Sequence, residues 1–349
     1  MKKYNKQDNS EYFGMTGSIF PDAHADSEHG DSEHADSEHA GSEYADSEHA
    51  DSEHADSEHA DSEAGGIRKR NKNHKGHRNM GLRNRLLFFG ILALTLLLIS
   101  VFADKLAPYD PALQDLSNAK APPSAAHLMG TDRYGRDLFS RVISGSRASI
   151  FSTLLLVAIT TSVGTVVGIF CGWNGKRIDT FLMRVSDIFL AFPGLVFAMA
   201  VAGVLGGGLQ NAIIALTAIS WPKYARIARG QTLSQKELPY IRAAKLACCN
   251  TPGILFRHLL PNIIGPILVT SMLDIGTMMM ELSGLSFLGL GARPPMAEWG
   301  SMMSDARGLM TTSPWIAFAP GFAIFISVMI FNLLGDTIRD YADPKTRSL

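Results

Sequence analysis

Four stretches of this chain, Leu86–Ala103, Ala148–Gly175, Ile188–Pro222 and Gly308–Gly335, contain no Asp, Glu, Lys or Arg. A helix needs about 20 apolar residues to cross a bilayer, and these runs meet that length. The overall hydrophobic share of 46% would suit a soluble domain, but the average hides the segregation: residues 1–85 are almost wholly polar and most of the remaining chain is apolar. The pattern reads as a polytopic, all-α membrane protein.

The net charge of −1 conceals a second segregation. No Lys or Arg occurs between Lys6 and Arg68, whereas Arg68–Arg85 is basic and free of acids. From Asp26 the pentad D-S-E-H-A repeats through Ala60 with few changes. A period of five fits neither helix nor strand, and nothing larger than Ala recurs as an apolar residue. Such a segment buries too little surface to offset its ordering entropy, so residues 1–66 read as a disordered acidic tail. Its interleaved His and carboxylates offer weak divalent-metal binding at most; a solvated low-complexity expansion is the blander reading. Met80, just before the first span, is an alternative start. The basic segment 67–85 holds its flank in the cytoplasm and favours anionic lipid. It also resembles the n-region of a signal peptide, but the apolar run is long and much membrane-embedded chain lies beyond it, so the first helix is read as retained.

Six spans fit, near 86–103, 148–172, 188–205, 208–222, 262–284 and 315–335. The run 188–222 is too long for one helix, and Gly206-Gly207-Gly208 with Gln210-Asn211 breaks it into a hairpin. With the N-terminus inside, inner loops carry Lys176, Arg177 and Arg184, then Lys223, Arg226, Arg229, Lys236, Arg242, Lys245 and Arg257. The opposite loop near 286–312 balances Arg293 and Arg307 with Glu298 and Asp305, as the positive-inside bias requires. Trp173, Trp221, Trp299 and Trp315 are expected at span ends. The domain reading is a first helix at 86–104, an extracytoplasmic segment at 105–146, a five-helix core at 147–340 and a cytoplasmic tail at 341–349, with both termini inside. Gly164, Gly168 and Gly172 mark one helix face for close packing. Asp187 and Arg184 are spaced for a helix-surface pair. The three cysteines, Cys171, Cys248 and Cys249, give no disulfide framework and no zinc spacing, and the adjacent pair reads as small-residue packing.

The segment 239–261, between the fourth and fifth spans, is the most organised loop. Pro239 opens a helix, Ala243, Ala244 and Ala247 keep it slim, and Asn250-Thr251-Pro252-Gly253 turns into a second short helix with Ile254, Leu255, Leu259 and Leu260 as its apolar face, ended by Pro261. Physics alone leaves two readings open: a docking surface for a cytoplasmic partner, or an amphipathic hairpin lying on lipid.

These residues resemble a known family. Ala243-Ala244, then Cys248, then His258-Leu259-Leu260-Pro261 is similar to the coupling loop of bacterial ATP-binding-cassette importer permeases. Arg242 stands where that family usually has Glu, and Cys248 where it usually has Gly. Gly130–Asp137, Ser140-Arg141 and Gly145-Ser146-Arg147 resemble the outer segment of dipeptide, oligopeptide and nickel permeases. Leu285–Gly291, Pro294-Pro295 and Trp299-Gly300 resemble the C-type subunit of the same branch. The likeness spans about residues 86–340.

The resemblance implies a type I importer-permease fold with six transmembrane helices. It implies a second permease subunit, two ATPase subunits that bind ATP and Mg, an extracytoplasmic solute-binding protein and a bacterial cytoplasmic-membrane setting. ATPase coupling would fall to Ala243, Ala244, Cys248, His258, Leu260 and Pro261. No G-x-x-x-x-G-K-[ST] loop occurs, so the chain is expected to hold no ATP, cofactor or metal, to be no enzyme and to bind no nucleic acid. Asp274 and Glu281 share a face of the fifth span, and intramembrane carboxylates usually face a bundle interior or water-filled pathway. They are read either as a substrate pathway or as structural carboxylates satisfied by partners. The expected function is import of di- or oligopeptides by alternating access. Nickel or another metal chelate is the alternative, and a stand-alone secondary transporter or a scaffold fits less well.

Overall fold

The computed structural model describes residues 82–342, all within the second of two units, Met1–Ala60 and Asp61–Leu349. The repeat tail, the basic segment as far as residue 81, and residues 343–349 lie outside the described residues. Every named element is helical. They are α1 Leu82–Val101, α2 Ala103–Leu106, α3 Leu138–Asn174, α4 Lys176–Ala191, α5 Gly194–Val204, α6 Leu209–Lys236, α7 Pro239–Leu246, α8 Thr251–Phe287, α9 Trp299–Ala306 and α10 Trp315–Ala342.

Close packing of α3 on α6 organises the bundle. A Cβ at Gly164 would lie 2.6 Å from the Trp221 carbonyl oxygen, one at Gly168 2.3 Å from that of Ala225, and one at Gly172 2.8 Å from Thr232 Cβ. Only glycine permits this approach. The pairings advance together along both helices, so α3 and α6 run parallel. The chain must therefore travel back between them, and only α4 and α5 are available to carry it. On the other side of the bundle, Gly276 faces Asn332 while Gly335 faces Met272 and Leu273, so α8 and α10 run antiparallel.

The spans differ in detail from expectation. Four helices (α1, α3, α8 and α10) are long and apolar enough to cross a membrane. The expected third span is not continuous: α4 and α5 meet at a 95° bend and would be a fifth crossing taken together. Pro193 lies in that break, where it withholds a backbone donor and pushes Phe192 into extended geometry. Phe189, Phe192, Phe197 and Trp221 pack around the bend. Trp221 thus lies inside α6, at the end of its uncharged first half. The expected fourth span is the first half of α6, which continues as helix to Lys236. Lys223, Arg226 and Arg229 are therefore helix residues, not loop residues. The glycine hairpin forms as read, with φ of +84°, +70° and +101° at Gly206, Gly207 and Gly208.

The two motif-bearing segments that flank α3 and α9 in sequence meet at one end of the bundle. Asp137 caps α3, accepting from Ser140 N at 2.8 Å and contacting His127 Nδ1 at 2.9 Å. Asp132, also buried, accepts from Arg136 Nε at 2.6 Å and from the amides of Tyr134 and Arg136. Arg133 reaches Asp305 at 2.8 Å, and the Trp299 indole donates to the Val142 carbonyl. The guanidinium groups of Arg133 and Arg136 lie 4.6 and 4.7 Å from the centre of the Tyr134 ring. Glu298, fully buried, caps α9 through Gly300 N and Ser301 N and accepts from Ser149 Oγ at 3.3 Å. These residues clasp chain segments together.

Two outcomes are expected. Gly168→Val, forcing a branched side chain against Ala225 and Ala228, should cost about 1–3 kcal/mol. Thermal unfolding in detergent should show it, while Gly90→Ala, with nothing within 4 Å of the new Cβ, should leave the melting temperature unchanged or slightly raised. Burial pushes the Glu298 carboxyl above its usual value of 4.5, against the pull of the Gly300 and Ser301 amides. A raised folded-state value means its stabilising share is full below the unfolded value and is lost as pH rises through the folded one. Glu298→Gln should therefore flatten the melting temperature against pH above about 4.5, the unshifted carboxyl value.

Candidate functional site

The loop between α6 and α8 folds into a short helix keyed to the bundle on one face and bare on the other. Pro239 occupies the first turn of α7 after extended Leu238. Ile241 and Ala244 are buried in a cluster with Tyr224 and Ala228 of α6 and Ile254, Leu259, Ile263 and Ile267 of α8. Burial in this cluster also raises the Tyr240 hydroxyl pKa. Ala243, Leu246 and Ala247 lie on the other face, and Leu246 is 85% exposed. Ala244 is therefore not on the free surface: it is the small residue that lets α7 sit down on the bundle.

The turn after α7 explains why a special residue is needed at position 248. Cys249 N donates to the Ala244 carbonyl at 3.2 Å and Cys248 N to that of Lys245 at 3.1 Å, the paired bonds of a Schellman cap. The motif requires a left-handed residue, and Cys248 has φ +57°. A Gly would adopt this without strain; a Cβ costs about 1–2 kcal/mol there. Asn250 then caps the next helix, its side chain accepting from Gly253 N.

Pro261 does not end a helix, contrary to the sequence reading. Residues Thr251–Phe287 form one helix of 37 residues. The turn just before the proline widens into a π-helix over Ile254–Leu259, which makes room for the ring and for the missing donor. The His258 carbonyl is taken up by Asn262 Nδ2 at 2.6 Å. Leu260 and His258 are half-buried and Pro261 is exposed, so the expected coupling residues are brought together at one end of the bundle but on different faces. Phe256, 72% exposed, had no signal beyond its hydrophobicity.

A row of cations along α6 is matched by carboxylates from two neighbours. Lys223 Nζ meets Asp274 at 2.6 Å, Arg226 meets Asp187 at 2.7 Å, and Arg229 holds both oxygens of Asp179 at 2.5 and 2.7 Å. Asp187 thus pairs across helices rather than with Arg184. Tyr224 OH also donates to Asp274 at 2.8 Å, so this buried carboxylate is satisfied within the chain, in keeping with the structural reading of it. Glu281 is half-buried and forms no hydrogen bond or ion pair among the described residues. The sequence shows the cation row but not the helical continuation past Pro222, so it places these residues in a loop.

Residues 164–348 match the family described as binding-protein-dependent transport system inner membrane component. The chain belongs to that family, as a multi-pass membrane subunit. It is 41% identical over 260 residues to the glutathione transport system permease protein GsiD of Pectobacterium atrosepticum, covering 74% of this chain and 86% of that one. It is 40% identical to the dipeptide transport system permease protein DppC of Alkalihalophilus pseudofirmus, covering 76% and 88%, and 41% identical to the nickel transport system permease protein NikC of Escherichia coli, covering 73% and 92%. A chain of the inward-facing MetNI methionine transporter aligns with a TM-score of 0.44 at 19% identity, over 59% of this chain and 98% of that one.

Cys248→Gly should relieve the strained cap by about 1 kcal/mol, so exchange of the Cys249 amide should slow about fivefold in hydrogen-exchange mass spectrometry. Cys248→Val should speed it.

Proposed function

We propose that this chain is the permease subunit of an ATP-driven importer of di- or oligopeptides, with the bare face of α7 as the seat of a partner ATPase. The observation that carries this is the two-sidedness of α7. Ile241 and Ala244 lock it to α6 and α8, while Ala243 and Leu246 offer a small-residue surface with one apolar projection. A helix lying on lipid would turn its apolar side outward, yet here Ile241 is wholly buried inward and Arg242 and Lys245 flank the free face.

In this reading ATP and Mg are held by two partner ATPases, whose closure pushes α7 and, through its buried face, α6 and α8. The pathway then alternates between facing the two sides of the bacterial cytoplasmic membrane, with both termini cytoplasmic. A solute-binding protein delivers substrate at the Trp299 end. An apolar cleft of about 610 Å³ between α3 and α8, lined by residues such as Leu154, Phe170, Phe256 and Leu268, supports a second permease subunit at that flank. Glu281, which forms no hydrogen bond or ion pair among the described residues, is the better pathway candidate, and Asp274 the structural one. Nickel chelates are the second reading, favoured by the equal likeness to the nickel permease.

Co-purification with the partner subunits, followed by ATPase assays with dipeptides, glutathione and nickel chelates, tests both. Leu246→Asp should weaken ATPase association by about 2 kcal/mol or more, the range of interface anchor residues, without lowering the yield of folded chain. Ala244→Glu should instead destabilise the loop itself. Unchanged association in Leu246→Asp would overturn the docking assignment.

A further inference from the structure

Trp173, the penultimate residue of α3, stands where three helices meet. Its indole packs against the buried cluster that seats α7. Lys245, on α7, places its ammonium 5.1 Å from the centre of the ring. Lys236, the last residue of α6, lies 5.8 Å from the same ring and donates to the Trp173 carbonyl at 2.5 Å. A cation within about 6 Å of an indole is attracted by the ring's quadrupole. One side chain is thus gripped from α6 and from α7 at once.

The other links of α7 lead elsewhere. Ile241 and Ala244 pack toward Tyr224 and Ala228 on α6 and toward the start of α8. The Lys245–Trp173 contact joins α7 to α3, the helix whose glycine face is locked onto α6. Without it, α3 would touch the seat of α7 only through the non-directional apolar packing of Ile169 and Trp173 on the shared cluster.

We propose that Trp173 is a positioning residue that transmits displacement of α7 to α3, acting through Lys245. This rests on the assignment of α7 as the ATPase seat. Its chemistry is a directional contact: a ring that accepts cations, with the ammonium on α7 as handle. Phe keeps a weaker acceptor, and Ala keeps none.

The test uses the assembled transporter in lipid nanodiscs, with Cys171→Ala, Cys248→Gly and Cys249→Ser removing native thiols. Ser144→Cys, on α3 ahead of the apolar run and lining an open cleft beside Asp110 and Arg147, reports motion through its maleimide labelling rate with and without ATP and vanadate. The parent should show an ATP-dependent change in that rate. Trp173→Ala should lose the change while retaining bound ATPase, and Trp173→Phe should restore part of it. Lys245→Met, which leaves the indole and its packing in place, should lose it as well. An undiminished change in Trp173→Ala or in Lys245→Met would overturn the proposal. If Trp173→Ala fails to assemble, Lys245→Met alone decides. A parent that binds no ATPase would overturn the docking assignment and this inference together, whereas firm docking with an unaffected change sinks this inference alone.

Discussion

Backbone-to-backbone approach of α3 and α6 is the constraint on which the remaining structure depends. Glycines at 164, 168 and 172 bring the two helices close enough that the facing surfaces of Trp221, Ala225 and Arg229 meet main chain. The parallel sense of that packing then dictates much else. It requires a return segment between the helices, which is met by two short helices with a proline at the break rather than by a straight span. It also leaves the Lys223, Arg226 and Arg229 side chains of α6 to reach carboxylates on α4 and α8. Ion pairs away from bulk water are held only where partners are close, and Asp179, Asp187 and Asp274 each find one on this helix.

Much of this was legible from residue order, for physical reasons. Long uncharged runs revealed the spans because a bilayer imposes length and apolarity directly. The glycine stripe and the Gly206–Gly208 hairpin were readable because glycine has few other reasons to recur or to cluster. The opening proline of α7 and the Asn250 cap were readable because helix ends need particular chemistry. Proline was the least reliable guide. Pro193 breaks a span that its apolar surroundings suggested was whole, Pro222 sits inside a helix that continues, and Pro261 is carried through by a π-turn. Whether a proline stops, bends or passes depends on how the backbone around it is re-satisfied, here by the π-turn over Ile254–Leu259 and by Asn262 Nδ2 donating to the His258 carbonyl.

The faces of the coupling segment were equally hard to assign. Ala243 and Ala244 are alike in composition and adjacent in sequence, yet one is bare and the other buried. A helix only two turns long gives too little periodicity to fix which side turns inward; the positions of Ile254, Leu259 and Ile263 decide it. Cys248 shows the reverse case. The sequence likeness marked it as a departure from Gly, and the left-handed backbone supplies the cost of that departure.

The unbroken helix from Thr251 to Phe287 has a mechanical consequence. At 37 residues it is about 55 Å long, a rod running from the turn beside α7 to the loop that precedes α9. If such a rod pivots near its middle, a tilt of about 10° sweeps each tip through roughly 5 Å, one helical pitch. The anchoring of Asp274 by Lys223 and Tyr224 lies near that midpoint. The satisfied carboxylate thus ties the rod to α6 close to its centre, with the widened turn before Pro261 on one side of the tie and the loop to α9 on the other.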